Sequence, residues 1–411
     1  MGASDGTDVA GRSLRSTLAH LRGDGRGWLL LVVAAGWLFM NGFRILLPAV
    51  LPRIKVEFAV GNTEAGFALT VLWLLYATTQ FPAGVAADRW GERPWLVAGA
   101  LLAAASFGAF YLAPVFGLFL AAAAAFGVGA GLFGTPRDML VTRTFPRADN
   151  TAYGIVFAAG SVGAAVLPFL ATVIAARWGW RVSIVWLLPP VALVGLGVWW
   201  AVPARPEIDG DRPSALETAR RALAALLDPR VAIPGVVFLL FVFTYQGLLS
   251  FLPTYLIERK GLSPGLAAAL FGLLFVVGAV VNPAAGSLAD RFGERATMLG
   301  VMGVATILLA ALPFTAGVGA LSLLVPLLGV RVAIGPLLSA FIVRELPPTV
   351  QGTGWGLIRT LFFGLGATGS TVVGLFADAG RFDAGFLLLA GLTGAMAALW
   401  LLVPGPNSES G

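Results

Sequence analysis

Apolar residues in this chain neither alternate nor recur once per helical turn. They run on in long blocks separated by short polar joints. Twelve blocks stand out, near residues 28–51, 63–87, 94–113, 115–141, 152–176, 182–202, 232–256, 264–289, 296–313, 318–343, 352–377 and 384–403. Each is about the length of a helix crossing a bilayer core, which takes roughly 20 residues. Gly127, Gly129, Gly131 and Pro136 sit inside the fourth block. Membrane helices tolerate such residues because neighbouring helices satisfy the freed backbone and glycine lets backbones approach. The pattern predicts an all-α membrane protein with twelve transmembrane helices.

Two longer polar stretches divide the chain. Residues 1–27 carry Arg12, Arg15, Arg22 and Arg26. The apolar run that follows is too long for a signal-peptide core, so it reads as a retained first span. Residues 203–231 separate spans six and seven. Pro203, Pro206, Gly210 and Pro213 mark a linker, after which Ser214 and Glu217 form a capping box ahead of Leu216, Ala219, Leu223, Leu226 and Leu227. That order predicts a short amphipathic helix on the membrane surface, with a solvated linker as the alternative. The expected organisation is thus a terminal segment (1–27), a six-span half (28–202), the linker (203–231), a second six-span half (232–403) and a tail (404–411).

Composition removes whole classes of chemistry. Of 411 residues, 58% are hydrophobic and only 12% charged. About a quarter of a soluble domain is charged, so this surface must face lipid. There is no cysteine, which excludes thiolate catalysis and cysteine-bound metals. His20 is the single histidine and lies in the polar terminus, too little for a multi-histidine metal site or a Ser-His-Asp triad. No cofactor is implied. The net charge of +6 is scattered between apolar runs rather than gathered on one surface, which argues against a nucleic-acid partner. With both termini in the cytoplasm, 16 Lys/Arg fall in cytoplasmic segments and seven in external loops. The positive-inside rule asks for that bias, so a multi-pass cell-membrane protein with cytoplasmic termini is expected.

The two halves repeat. Gly84-Val-Ala-Ala-Asp88-Arg89-Trp90-Gly91-Glu92-Arg93 follows span two, and Gly286-Ser-Leu-Ala-Asp290-Arg291-Phe292-Gly293-Glu294-Arg295 follows span eight. Arg143-Thr-Phe-Pro146 pairs with Arg344-Glu-Leu-Pro347, and Thr151-Ala-Tyr-Gly154 with Thr353-Gly-Trp-Gly356, at nearly the same offset. One offset recurring in one order describes two parallel halves related by an axis along the membrane normal. Physically, Gly84 removes a side chain where span two meets a partner. Asp88 can accept from the open N–H groups at the start of span eleven, around Thr353, and Asp290 can do so for span five, near Thr151.

On these motifs the chain resembles the major facilitator superfamily over residues 28–403. The duplicated G-x-x-x-D-R-x-G-x-R loop is the specific part. Gly179-Trp180-Arg181 before span six and Leu252-Pro253-Thr254-Tyr255-Leu256 ending span seven add to it. Arg44, Tyr76, Gln80 and the loop that follows look most like the organic-anion and organophosphate carriers. The chain departs from that pattern at Arg143, where many members carry an acid, and at Asp149-Asn150, where they often carry an arginine. The resemblance implies that Gly84, Asp88, Arg89, Gly91 and Arg93, with Gly286, Asp290, Arg291, Gly293 and Arg295, latch the halves together on the cytoplasmic side.

Four arginines lie within spans: Arg44 in one, Arg137 in four, Arg331 in ten and Arg359 in eleven. An arginine at the bilayer centre costs at least ~2.5 kcal/mol, so each is kept for a partner or a pathway. In the family architecture all four fall on helices that form the central cavity. Arg137 and Arg359 lie nearer a membrane surface, where they can snorkel or pair with Asp138, the one intramembrane carboxylate. Asn41 shares a helix face with Arg44. Tyr76, Gln80, Ser161, Tyr245, Gln246 and Asn282 are the remaining polar groups on cavity helices, either ligand contacts or helix–helix hydrogen bonds. Trp73 and Trp355 are expected to pack or to face lipid.

The expected function is secondary transport of a small, anionic solute by a monomeric carrier that works by rocking of its halves. Arg44 and Arg331 would bridge the substrate from opposite halves, and Asp138 would carry a proton if transport is proton-coupled rather than anion exchange. An exporter of hydrophobic compounds and a non-transporting membrane sensor are the alternatives.

Overall fold

The computed structural model describes residues 27–145, 149–204, 229–346 and 351–403. The expected linker helix at 214–227, both chain ends and His20 lie outside these. All regular structure among the described residues is helical.

Among the described residues, eleven helical runs are long and apolar enough to cross a membrane. One of them, Thr151–Ala201, has 51 residues. At 1.5 Å per residue it would reach about 75 Å, more than twice the ~30 Å hydrocarbon core. The run turns at Gly179, whose φ of 85° and ψ of 161° leave the helix. The run thus accommodates two crossings, spans five and six, meeting at the Gly179-Trp180 pair, so that the eleven runs have room for the twelve expected crossings. The first is longer than expected, Gly27–Phe58, carrying Pro48 and Pro52 within it.

Spans ten and eleven are not continuous, contrary to expectation. Span ten runs Val318–Leu327, tightens into a 3-10 segment Leu328–Ala333, and resumes over Ile334–Glu345. The break has local causes. Pro326 lacks an N–H, and Pro336 leaves the carbonyl four residues before it without its usual helical donor. Span eleven is likewise divided, into Gln351–Gly366 and Gly369–Asp378.

Spans one to six pack as one bundle and seven to twelve as another. A cluster of rings, Phe43, Phe107, Phe110, Phe119 and Phe126, fills the first, with centroids 4.4–5.6 Å apart. Trp400, Met302, Phe238 and Ile334 belong to the core of the second. The halves meet chiefly where span two packs on span eleven and span five on span eight.

That interface is sealed at one end. We call it the far side, opposite residues 27 and 403. There Asp378, ending span eleven, caps the start of span two. It accepts from the Asn62 and Thr63 backbone N–H groups at 2.8 and 2.7 Å, and from Asn62 Nδ2 and Thr63 Oγ1 at 2.9 and 2.6 Å. Lys55 of the first half pairs with Glu258 of the second at 2.8 Å. Further in, Thr70 Oγ1 donates to the Ala367 carbonyl at 3.0 Å. Gly66 lies so close to span eleven that a Cβ would sit 2.5 Å from the Ser370 carbonyl.

Candidate functional site

At the near side the same helices part. A cavity of about 630 Å³ opens between spans two, four, five and eleven. Gln80, Phe81, Gly84, Val85 and Asp88 line it from span two; Thr135, Asp138, Met139, Thr142 and Arg143 from span four; Tyr153 from span five; Gly356 and Arg359 from span eleven. These residues share one wall because they recur at three- and four-residue steps along their helices.

The first loop motif sits at its rim, with Gly84 and Asp88 in the lining. Gly91 and Gly293 adopt φ of 79° and 84° where spans two and eight end, a conformation that disfavours any side chain. In the first copy, Asp88 pairs with Arg143 at 2.7 Å, and the same guanidinium pairs with Glu92, whose side chain is only 4% exposed. The residue that departs from the family pattern thus supplies the cation that holds both acids of the motif. The expected acceptance by Asp88 from the N–H groups around Thr353 involves residues 351–355, whose side chains lie outside the described set. Gly84 packs on Thr135 of span four. The second copy corrects the expectation drawn from the repeat. Asp290 is exposed and makes no hydrogen bond or ion pair with a described residue, and Gly286 faces open space. There Glu294 pairs with Arg344 instead. Of the remaining motif arginines, Arg89 lies over Trp90, Arg93 lies over Trp199, Arg295 donates to the Leu401 carbonyl, and Arg291 is exposed.

Behind the inner end of the cavity lies a cluster of cations. Tyr76 is one helical turn deeper than Gln80, and its ring lies 4.3 Å from the Arg44 guanidinium carbon. Arg44 is 2% exposed and has no carboxylate partner among the described residues; it donates to Asn41 Oδ1 at 3.2 Å. Trp37 and Trp73 also flank it, at 4.7 and 4.9 Å. Trp73 is therefore a wall of this cluster rather than a lipid-facing residue. Arg137 does not snorkel. It is equally buried, doubly bonded to Asp138 Oδ1 at 2.9 and 2.6 Å, and stacked on Trp37 at 3.8 Å. Arg359, half-buried, completes the group: its charge reaches Arg44 and Tyr76, yet it makes no hydrogen bond or ion pair with a described residue. Arg44 Nε, Arg137 Nη1 and Gln80 Nε2 are buried donors without acceptors.

Arg331 stands apart. Fully buried in the 3-10 segment of span ten, it donates to Thr244 Oγ1 at 2.6 Å and does not line the cavity. Tyr245 is within electrostatic reach of both Arg331 and Arg44. Gln246 and Asn282 are on spans seven and eight, away from the cavity wall, with unpartnered amide atoms. Ser161 bonds its own helix at the Phe157 carbonyl. The structure thus gathers Arg44, Arg137, Arg359, Asn41, Tyr76, Gln80 and Asp138, and leaves Arg331, Tyr245, Gln246 and Asn282 to one side. Trp37, Thr142 and Tyr153 were not anticipated, although Trp37, Asn41 and Arg44 are spaced four and three apart on one helix face.

Comparison with known proteins decides the family. The profile of the Major Facilitator Superfamily matches residues 32–370. The chain belongs to the major facilitator superfamily. It is a membrane transporter of a small solute, not an enzyme. Among its relatives, a hexuronate transporter of Bacillus subtilis is 24% identical over 85% of this chain and 87% of its own length. The fosmidomycin resistance protein of Escherichia coli is 26% identical over 85% and 86%. A probable nitrate/nitrite antiporter of Thermus thermophilus, NarK1, is 27% identical over 79% and 81%. Among solved structures, a bacterial homologue of the human lysosomal transporter Spinster, inward-facing and unoccupied, superposes with a TM-score of 0.78 at 16% identity, over 93% of this chain and 97% of that one. The nucleoside transporter NupG does so with 0.76 at 14%, over 92% and 100%. These two likenesses concern the fold alone.

Proposed function

We propose that this transporter carries a small organic anion by alternating access, with both termini in the cytoplasm of a cell-membrane protein, so that the conformation described is inward-facing. The observation that carries the reading is charge. Three arginines, Arg44, Arg137 and Arg359, converge at the inner end of the cavity against one carboxylate, Asp138. Burying excess cationic charge is costly, and a bound anion offsets it. The names of two relatives, a hexuronate transporter and a nitrate/nitrite antiporter, agree with an anionic solute. Arg331 would join from the other half as the halves rock, reaching a substrate across Tyr245. With Asp138 committed to Arg137, anion exchange is the favoured coupling; protonation of Asp138 is the route by which proton symport would work instead.

The test is uptake of labelled glucuronate, a hexose phosphate and nitrate into vesicles holding the purified protein, beside a lipophilic dye. Charge-assisted hydrogen bonds contribute about 1.5–3 kcal/mol, so Arg44→Gln and Arg359→Gln should each raise KM roughly ten- to a hundred-fold. Normal anion transport by both variants, or transport of the dye alone, would overturn the anion in favour of an apolar solute. Net glucuronate uptake driven by an inward proton gradient, without internal anion, would replace exchange by symport.

A further inference from the structure

Arg44 is held by rings where a carboxylate would be the usual partner. Tyr76, Trp37 and Trp73 surround its guanidinium at 4.3–4.9 Å, and Arg137 lies on Trp37 as well, at 3.8 Å. One indole, 7% exposed, therefore supports two guanidinium groups from two helices. The difference between a ring and a carboxylate is one of bookkeeping in charge. A carboxylate would cancel the cation it holds. A ring attracts the cation through its quadrupole and leaves the formal charge intact.

We infer that Trp37 is a positioning residue for the anion site, fixing Arg44 and Arg137 side by side without neutralising either. This rests on the reading that the solute is an anion. The consequence is a cluster of three guanidinium groups against one carboxylate, with Arg44 Nε and Arg137 Nη1 both lacking acceptors. Trp37 itself need not touch the substrate. Its own place is set by span five. A Cβ at Gly160 would lie 2.2 Å from Trp37 Nε1, and the Gly160 carbonyl accepts from Asn41 Nδ2 at 3.0 Å. Asn41 in turn accepts from Arg44. Gly160 thus governs both the ring beneath Arg44 and the amide beside it, while adding no charge and no polar side chain of its own.

The experiment measures thermal unfolding of the full-length purified protein against glucuronate and inorganic phosphate, since a ligand of the folded state stabilises it by RT ln(1 + [L]/Kd) and so raises its melting temperature with concentration. Wild-type protein should be stabilised by at least one of the two anions, and Arg44→Gln should lose that response. Trp37→Leu should weaken the apparent affinity about tenfold, the scale of one charge-assisted hydrogen bond lost. Trp37→Phe, which keeps a ring face, should recover most of it. Gly160→Ala should reproduce Trp37→Leu with the tryptophan still present, so a folding failure of one variant leaves the other to decide. If Trp37→Leu and Gly160→Ala bind within twofold of wild type while Arg44→Gln does not, the positioning role is overturned and the anion reading stands. If Trp37→Leu loses binding and Trp37→Phe recovers none, the indole acts by packing and the inference fails. If Arg44→Gln binds normally, or neither anion stabilises the wild-type protein, the anion reading fails and the inference with it.

Discussion

On the far side of the molecule, charged and polar groups reach across from one half to the other. Asp378 of the second half caps a helix of the first, Lys55 meets Glu258, and Thr70 bonds span eleven. On the near side the ion pairs among the described residues join partners of one half: Arg143 with Asp88 and Glu92, Arg344 with Glu294. Both ends of the interface are rich in charge, so charge alone does not distinguish them. What differs is whether the partners belong to the same rigid body. Contacts inside a half survive a rocking motion, whereas contacts across it must break, and only the latter can bias which end is open.

The comparison can be broken at its strongest point by Gly66. Any side chain there meets the Ser370 backbone, which cannot retreat without shifting span eleven. Gly66→Val should keep the far side from closing and abolish turnover. The native chain has no cysteine, so Ala367→Cys, buried in the present state, is a clean reporter. It should become reactive to an impermeant maleimide added at the far side. A reporter that stays protected would show that the helices close around the extra atoms. Asp378→Ala comes next. Losing a helix cap costs about 0.5–2 kcal/mol, so labelling of the same reporter should rise roughly 2- to 30-fold, and less for Asp378→Asn, which can still cap. Arg143→Gln should have the smallest effect. It removes two pairs within one half, and the labelling ratio between the sides should change less than about twofold, because all three partners move together as the halves rock. A change as large as that of Asp378→Ala would mean that the near-side pairs also couple the halves.

Much of this was legible in the chain. Long apolar runs fix the crossings because lipid allows no other backbone arrangement, and the repeat offset gives the two halves. Intramembrane arginines announce a site because their insertion cost needs a reason. The broken span ten was not legible, since Pro326 and Pro336 fall within an apolar run like those of intact spans. Trp37 and Trp73 were hidden for a related reason: a tryptophan in an apolar block reads as packing until a guanidinium is found on its ring. The second loop copy misled in the other direction. Its letters match the first, but Asp290 makes no hydrogen bond or ion pair with a described residue, and sequence identity between repeats does not carry the conformational state in which each copy engages.

The six-residue 3-10 segment around Arg331 makes span ten longer and more tightly wound than a regular helix. At about 2.0 Å and 120° per residue, against 1.5 Å and 100°, relaxing it to α-helix would shorten the span by ~3 Å, turn its flanking helices against each other by roughly a third of a turn, and swing Arg331, inside the segment, through about a fifth of one. Spin labels at Leu323 and Phe341 would register that retraction as a shorter separation when an anion binds, and an unchanged separation would rule it out. Span ten would then act as a screw, in which a small axial displacement at the membrane centre becomes a large rotation of one buried cation, independent of the rocking of the halves that carry it.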